Sequence, residues 1–166
     1  MRLLKLMHRV EQVFLTLAAL ILVAMAAITF LDVIGRYFFN HPLGGAFELV
    51  AIGMALMIFA ALPEVTARND HITVSLMNFL PATAQAVLRI VMAVVTALAL
   101  CVLAWRFFDH AARLASYGDY AMYTGIPYAP VAAFMAVASG VAGVFRAVRI
   151  VLAPKQLTSE KLEDVA

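Results

Sequence analysis

Apolar residues along this chain gather into four long blocks, at about residues 13–35, 46–67, 82–105 and 126–152, with most charged side chains at the block edges. At about 1.5 Å per helical residue, each block covers the roughly 30 Å hydrocarbon core of a bilayer. The pattern predicts an all-α membrane protein with four transmembrane helices. Residues 1–152 then form a single four-helix domain, and 153–166 a polar tail after Pro154.

The block edges carry the detail. Asp32 and Arg36, four residues apart near the end of block one, share a helix face and are expected to pair at the membrane surface. Block two runs between Glu48 at one end and Glu64 and Arg68 at the other, with Pro63 in its last turn, where a kink or an early helix end is tolerated. Block three has Arg89 in its first turns, placed to snorkel to the near interface, and Trp105 at its far end, at headgroup level. Block four is uncharged up to Phe145, and Arg146 and Arg149 follow. Its Gly140 and Gly143, with Ala133, Ala136 and Ala147, offer a small-residue face for close helix packing.

Composition agrees with lipid as the solvent: 65% of residues are hydrophobic and 13% charged. A water-soluble domain of this length needs far more polar surface. The net charge of +2 gives no nucleic-acid groove, because the basic residues are spread over block edges. Their distribution sets an orientation instead. Arg2, Lys5 and Arg9, then Arg68 and Arg89, then Arg146, Arg149, Lys155 and Lys161 fall on one side; Arg36, Arg106 and Arg113 fall on the other. The excess predicts both termini and the second loop in the cytoplasm, with loops one and three outside. The apolar run from Val13 to Leu31 is longer than a signal-peptide core and continues past the small residues Ala24 and Ala26, so it reads as an uncleaved first span.

Short interfacial helices are expected in loops two and three. In residues 70–81, Ile72, Leu76, Phe79 and Leu80 fall on one helical face. In residues 107–128, Phe107, Phe108, Ala111 and Leu114 form a second stripe. That segment also holds Tyr117, Tyr120, Tyr123 and Tyr128, an aromatic belt with a partner-docking role as the alternative.

Candidate chemistry is sparse. The single cysteine, Cys101, permits no internal disulfide and reads as a buried thiol. The histidines, His8, His41, His71 and His110, sit at or beyond block ends, which does not suit a haem held between helices at matched depth. No zinc-protease, calcium-loop, phosphate-loop or nucleophile-elbow motif is present, so no catalytic, cofactor or metal residues are assigned. The span centres are almost entirely Ala, Leu, Val, Ile and Met, with Thr29 and Thr96 as mild exceptions, whereas a conducting pathway needs polar groups there. The chain thus reads as a subunit of a larger membrane assembly.

The stretch from Arg36 to Leu49 stands apart: Arg36-Tyr37-Phe38-Phe39-Asn40-His41-Pro42-Leu43-Gly44-Gly45-Ala46-Phe47-Glu48-Leu49. Asn40 and Pro42 suit a turn, and Glu48 opens a helix whose dipole favours a carboxylate. Arg36 is expected to reach Glu48 across that turn. Further on come Arg68-Asn69-Asp70-His71-Ile72-Thr73-Val74, then Leu80-Pro81 and Ile126-Pro127. The order and spacing of these motifs resemble the small membrane subunit of tripartite ATP-independent periplasmic (TRAP) transporters, over about residues 5–152. The chain departs from that pattern at residues 44–47, where many members have Trp, and at Ser75, where many have Asp.

The resemblance implies a non-catalytic scaffold in the bacterial inner membrane. Its partners would be a large multi-span permease subunit, a periplasmic substrate-binding protein and membrane lipids, in a sodium-gradient-driven organic-acid uptake system. It singles out Arg36, Tyr37, Asn40, Pro42, Glu48, Arg68, His71 and Ile72, to which the helical spacing adds Asp32, as structural or partner-interface candidates. The alternatives are a non-transport assembly factor, a redox anchor or a small self-assembling transporter.

Overall fold

The computed structural model describes residues 2–67 and 82–152. Four helices account for nearly all of them: α1 (Arg2–Phe38), α2 (Ala46–Ala67), α3 (Ala82–Tyr117) and α4 (Tyr128–Leu152). All four are long and apolar enough to cross a membrane. Arg68, His71, Ile72 and the helix expected in loop two lie outside the described residues, as do the Arg89 side chain and the tail after residue 152.

Length separates the helices into two kinds. α2 has 22 residues and α4 has 25, which gives about 33 and 37 Å, close to one bilayer crossing. α1 has 37 residues and α3 has 36, more than about 50 Å each by the same rise, so both overshoot. The charges show where. α1 carries His8, Arg9, Glu11 and Gln12 near its start, and α3 carries Arg106, Asp109, His110 and Arg113 near its end. The segment after Phe107 is therefore a continuation of α3 to Tyr117 and not a separate interfacial helix.

The breaks between helices follow local chemistry. Asn40 takes φ 51°, a left-handed conformation that asparagine tolerates, and the His41 amide returns to the Gly35 carbonyl at 3.0 Å. Gly118, at φ 68°, ends α3, and the Asp119 amide reaches back to the Leu114 carbonyl at 3.3 Å. α2 runs through Pro63 to Ala67, with Pro63 fully buried. Pro130 falls in the first turn of α4, where the missing amide costs nothing.

The extensive helix contacts are α3 on α4, α1 on α2 and α2 on α4, which puts α2 and α4 at the centre. Small residues make the closest seam. Ala93, Ala97 and Ala111 of α3 and Ala132, Ala136, Ala138 and Ala142 of α4 are buried. A methyl added to Gly143 would lie 3.3 Å from both Leu100 Cβ and Cys101 Sγ. Gly143 and Ala136 thus pack as their spacing predicts, whereas Ala147 is exposed. Cys101 is also exposed in the single chain, at the edge of this seam, and so is not the buried thiol expected from its apolar surroundings. Aromatic contacts add cross-ties: Phe59 of α2 meets Phe107 of α3 edge-on at 5.0 Å, and Phe14 of α1 stacks on Phe134 of α4 at 6.2 Å.

Candidate functional site

The chain turns of loops one and three meet at one end of the bundle, and two carboxylates organise them. Asp32 works within loop one. One of its oxygens accepts from Arg36 Nη2 at 2.9 Å, as the four-residue spacing predicts, and the other accepts from the Leu43 amide at 2.9 Å. Asp32 therefore ties the end of α1 to the chain that leads into α2.

Glu48 works between loops. It sits in the first turn of α2 and accepts from the backbone amides of Tyr123, at 3.1 and 3.0 Å, and Thr124, at 3.0 Å. The Thr124 hydroxyl donates to the same carboxylate at 3.1 Å. Successive backbone N–H groups converging on one anion form a nest. The expected Arg36–Glu48 pair is thus replaced. Arg36 is engaged by Asp32 on its own helix face, and loop three supplies the Glu48 partners across 75 residues of sequence.

Loop three is built to present those amides. The Ala121 amide donates to the Ile126 carbonyl, the Gly125 amide to the Ala121 carbonyl and the Tyr128 amide to the Asp119 carbonyl, all at 2.9–3.1 Å. Ala121 is fully buried beneath the loop. Gly45, just before Glu48, takes φ 85°, and an added Cβ there would lie 2.7 Å from Thr124 Cγ2. Both its backbone conformation and the approach of loop three require glycine. Tyr37, Phe38, Phe39, Phe47, Met122 and Tyr123 stand exposed around this seam, each at 75% or more. Pro42 is exposed as well.

The opposite end holds a different constellation. Arg149 of α4 donates through Nη2 to both carboxylate oxygens of Glu11 on α1, at 2.8 and 2.9 Å. Glu11 is 1% exposed, Glu64 of α2 is 6% and Arg146 of α4 is 8%. His8 Nδ1 lies 3.8 Å from Glu11. Three helices thus contribute to one buried ionic cluster.

Between the two ends, hydroxyls satisfy themselves locally. Thr29 donates to the Met25 carbonyl at 2.9 Å, Thr96 to Met92 at 2.8 Å and Ser139 to Met135 at 2.8 Å. Among the described residues, no group of three or more His, Cys, Asp or Glu is placed to hold a metal.

A sequence model of the family described as tripartite ATP-independent periplasmic transporters, DctQ component, matches residues 25–155, well over half of the chain. The chain belongs to this family. It is a small permease component of a TRAP transporter, and a multi-pass membrane protein. Comparisons with curated proteins and with solved structures returned no match.

The DctQ segment takes in the whole loop-one and loop-three seam and reaches Arg149, while Glu11 precedes it. Of the candidates from sequence, Asp32, Arg36, Asn40 and Glu48 have defined structural roles at the seam, and Tyr37 and Pro42 are on its surface. Sequence reasoning missed Glu11 and the loop-three partners of Glu48. Glu11 carried a usable signal: a carboxylate two residues before the first apolar block, with arginines just past the uncharged part of the fourth. The Glu48 nest carried none, because its donors are backbone amides.

Proposed function

We propose that this chain is the non-catalytic scaffold of a secondary active transporter. On this reading it pairs with a large multi-span permease subunit that carries substrate, and both work with a periplasmic substrate-binding protein. Uptake of organic acids is driven by a sodium gradient. The complex sits in the bacterial inner membrane, with both termini of this chain cytoplasmic and the loop-one and loop-three seam outside.

The observation that carries the scaffold reading is where polar groups are and what they do. The span-interior hydroxyls of Thr29, Thr96 and Ser139 are each bonded to a carbonyl of their own helix, so these three groups are not turned toward a passing solute, and the buried charges of Glu11, Glu64 and Arg146 gather at one end of the bundle. The apolar flanks, by contrast, want cover. Only 6% of the most apolar window of α1 is buried within the chain, against 39% for α4. A helix left so open must face lipid or another subunit. Asp32, Arg36, Tyr37, Asn40, Pro42 and Glu48 then serve as a shaped outer surface for the assembly, and Arg68, His71 and Ile72 as its inner counterpart.

The test is reconstitution in proteoliposomes under an imposed sodium gradient, with dicarboxylates, keto acids and sialic acids as candidate solutes. Uptake is expected only when this chain, the large permease and the binding protein are all present. Uptake by this chain alone, or undiminished uptake without it, overturns the proposal.

A further inference from the structure

The overshooting end of α3 carries a feature that a scaffold role does not use. Val91, Val95, Leu98 and Val102, followed by Arg106, Asp109 and Arg113, recur at three- and four-residue spacing and so line one face of the helix. All but Asp109 are exposed, and Asp109 is half-buried. The face is apolar up to Val102 and becomes charged at Arg106. Trp105, 68% exposed, sits at the change, where an indole marks the boundary between hydrocarbon and headgroups.

A shallow cleft of about 320 Å³ lies on the charged part, lined by Leu103, Arg106, Phe107, Asp109, His110 and Arg113. Phe107 is braced from behind by Phe59 of α2. Arg113 donates to Asp109 at 2.7 Å, which uses one of its five N–H groups. Arg106 has no ion-pair or hydrogen-bond partner among the described residues. Two guanidiniums against one carboxylate leave the cleft positive, with the His110 ring beside them.

The dimensions fit a lipid. From Val91 to Val102 the apolar track runs about 16 Å, half of the roughly 30 Å hydrocarbon core and so the depth of one leaflet. Side-chain size separates this face from a protein seam. Toward α4, α3 presents buried Ala93, Ala97 and Ala111, the small residues that let helices approach closely. The track lies on the other side of the helix and is built from Val and Leu, which suit an acyl chain.

We propose that α3 binds an anionic phospholipid, its phosphate held by Arg106, His110 and Arg113 and one acyl chain laid along Val91, Val95, Leu98 and Val102. The site rests on α3 crossing the membrane and not on the transported solute or on any partner, so the uptake assay above neither supports nor removes it.

The test is native mass spectrometry of the full chain purified in mild detergent, titrated with phosphatidylglycerol and with phosphatidylcholine. Wild type is expected to prefer phosphatidylglycerol. R106Q/R113Q should lose roughly fivefold in its retention per arginine removed, and R106K/R113K should keep most of it. Inorganic phosphate, which lacks the chain, should not compete. Asp109→Asn keeps both arginines and removes the competing carboxylate, so it should tighten binding even if the double variant fails to fold. Equal retention by wild type and R106Q/R113Q overturns the site, as does unchanged or weaker binding by Asp109→Asn. Displacement by inorganic phosphate makes it a bare anion site and overturns the lipid. Loss of the lipid when the large permease binds makes this face a subunit interface, and likewise overturns it.

Discussion

The two ends of the bundle are held by opposite means. Where loops one and three meet, the carboxylates of Asp32 and Glu48 accept from backbone amides, at Leu43, Tyr123 and Thr124. At the other end, the Glu11 carboxylate accepts from a side chain, Arg149, and buried Glu64 and Arg146 lie in the same cluster. An amide cannot move without its chain, so bonds to amides fix the shape of a loop. A guanidinium on a long stem fixes which helices sit together. The first end therefore reads as a shaped surface ringed by exposed aromatics, and the second as a lock between α1 and α4.

The largest expected effect breaks the lock. Removing one partner of a buried ion pair leaves the other charge stranded, at about 3–5 kcal/mol for a fully buried pair. Arg149 is 31% exposed at its side chain, so Glu11→Ala should cost less, about 2–3 kcal/mol. The readout is the thermal unfolding midpoint in detergent. The comparison sharpens if Glu11→Leu is combined with Arg149→Met, since replacing both charges by apolar groups often restores stability. A double variant no more stable than Glu11→Ala would mean that the pair is more than a helix lock.

At the other end, Gly45→Ala should cost about 2 kcal/mol, because alanine is strained at φ 85° and its Cβ meets Thr124 Cγ2. Thr124→Ser removes that methyl and keeps the hydroxyl that donates to Glu48. The pair G45A/T124S should therefore recover the steric part of the loss and not the backbone part. Amide exchange at Tyr123 and Thr124 reports on it: Gly45→Ala should raise exchange there and leave the region around Glu11 unchanged. Exchange that rises equally at both ends would mean that the two ends are one cooperative unit.

This comparison also shows what sequence can carry. The four spans were legible because lipid imposes a length and an apolar composition on every crossing, and α2 matches its sequence block at both ends. The Asp32–Arg36 pair was legible because helical spacing alone brings i and i+4 together. The Arg36–Glu48 pair was expected from opposite charges near one turn, and it lost to partners without any charge signature. Backbone amides are present at every position but proline, so nothing in the letters Tyr123-Thr124 marks them as ligands of Glu48. The overshoot of α3 was hidden too, because Trp105 and Arg106 mark where the apolar block ends and not where the helix does.

The smallest expected effect separates the two jobs of Asp32. One oxygen serves Arg36, a surface ion pair whose arginine side chain is 63% exposed, and such pairs contribute about 0–1 kcal/mol. The other serves the Leu43 amide, which asparagine can still accept through its carbonyl oxygen. Asp32→Asn removes the charge and keeps an acceptor, so it should cost less than about 1 kcal/mol. Asp32→Ala removes both and should cost about 1–2 kcal/mol more, the penalty for leaving that amide unpaired. The unfolding midpoints of the two variants in detergent decide the matter. If they fall equally, the Arg36 pair and not the Leu43 amide holds loop one, and this end of the bundle would rely on side-chain charge as the other end does.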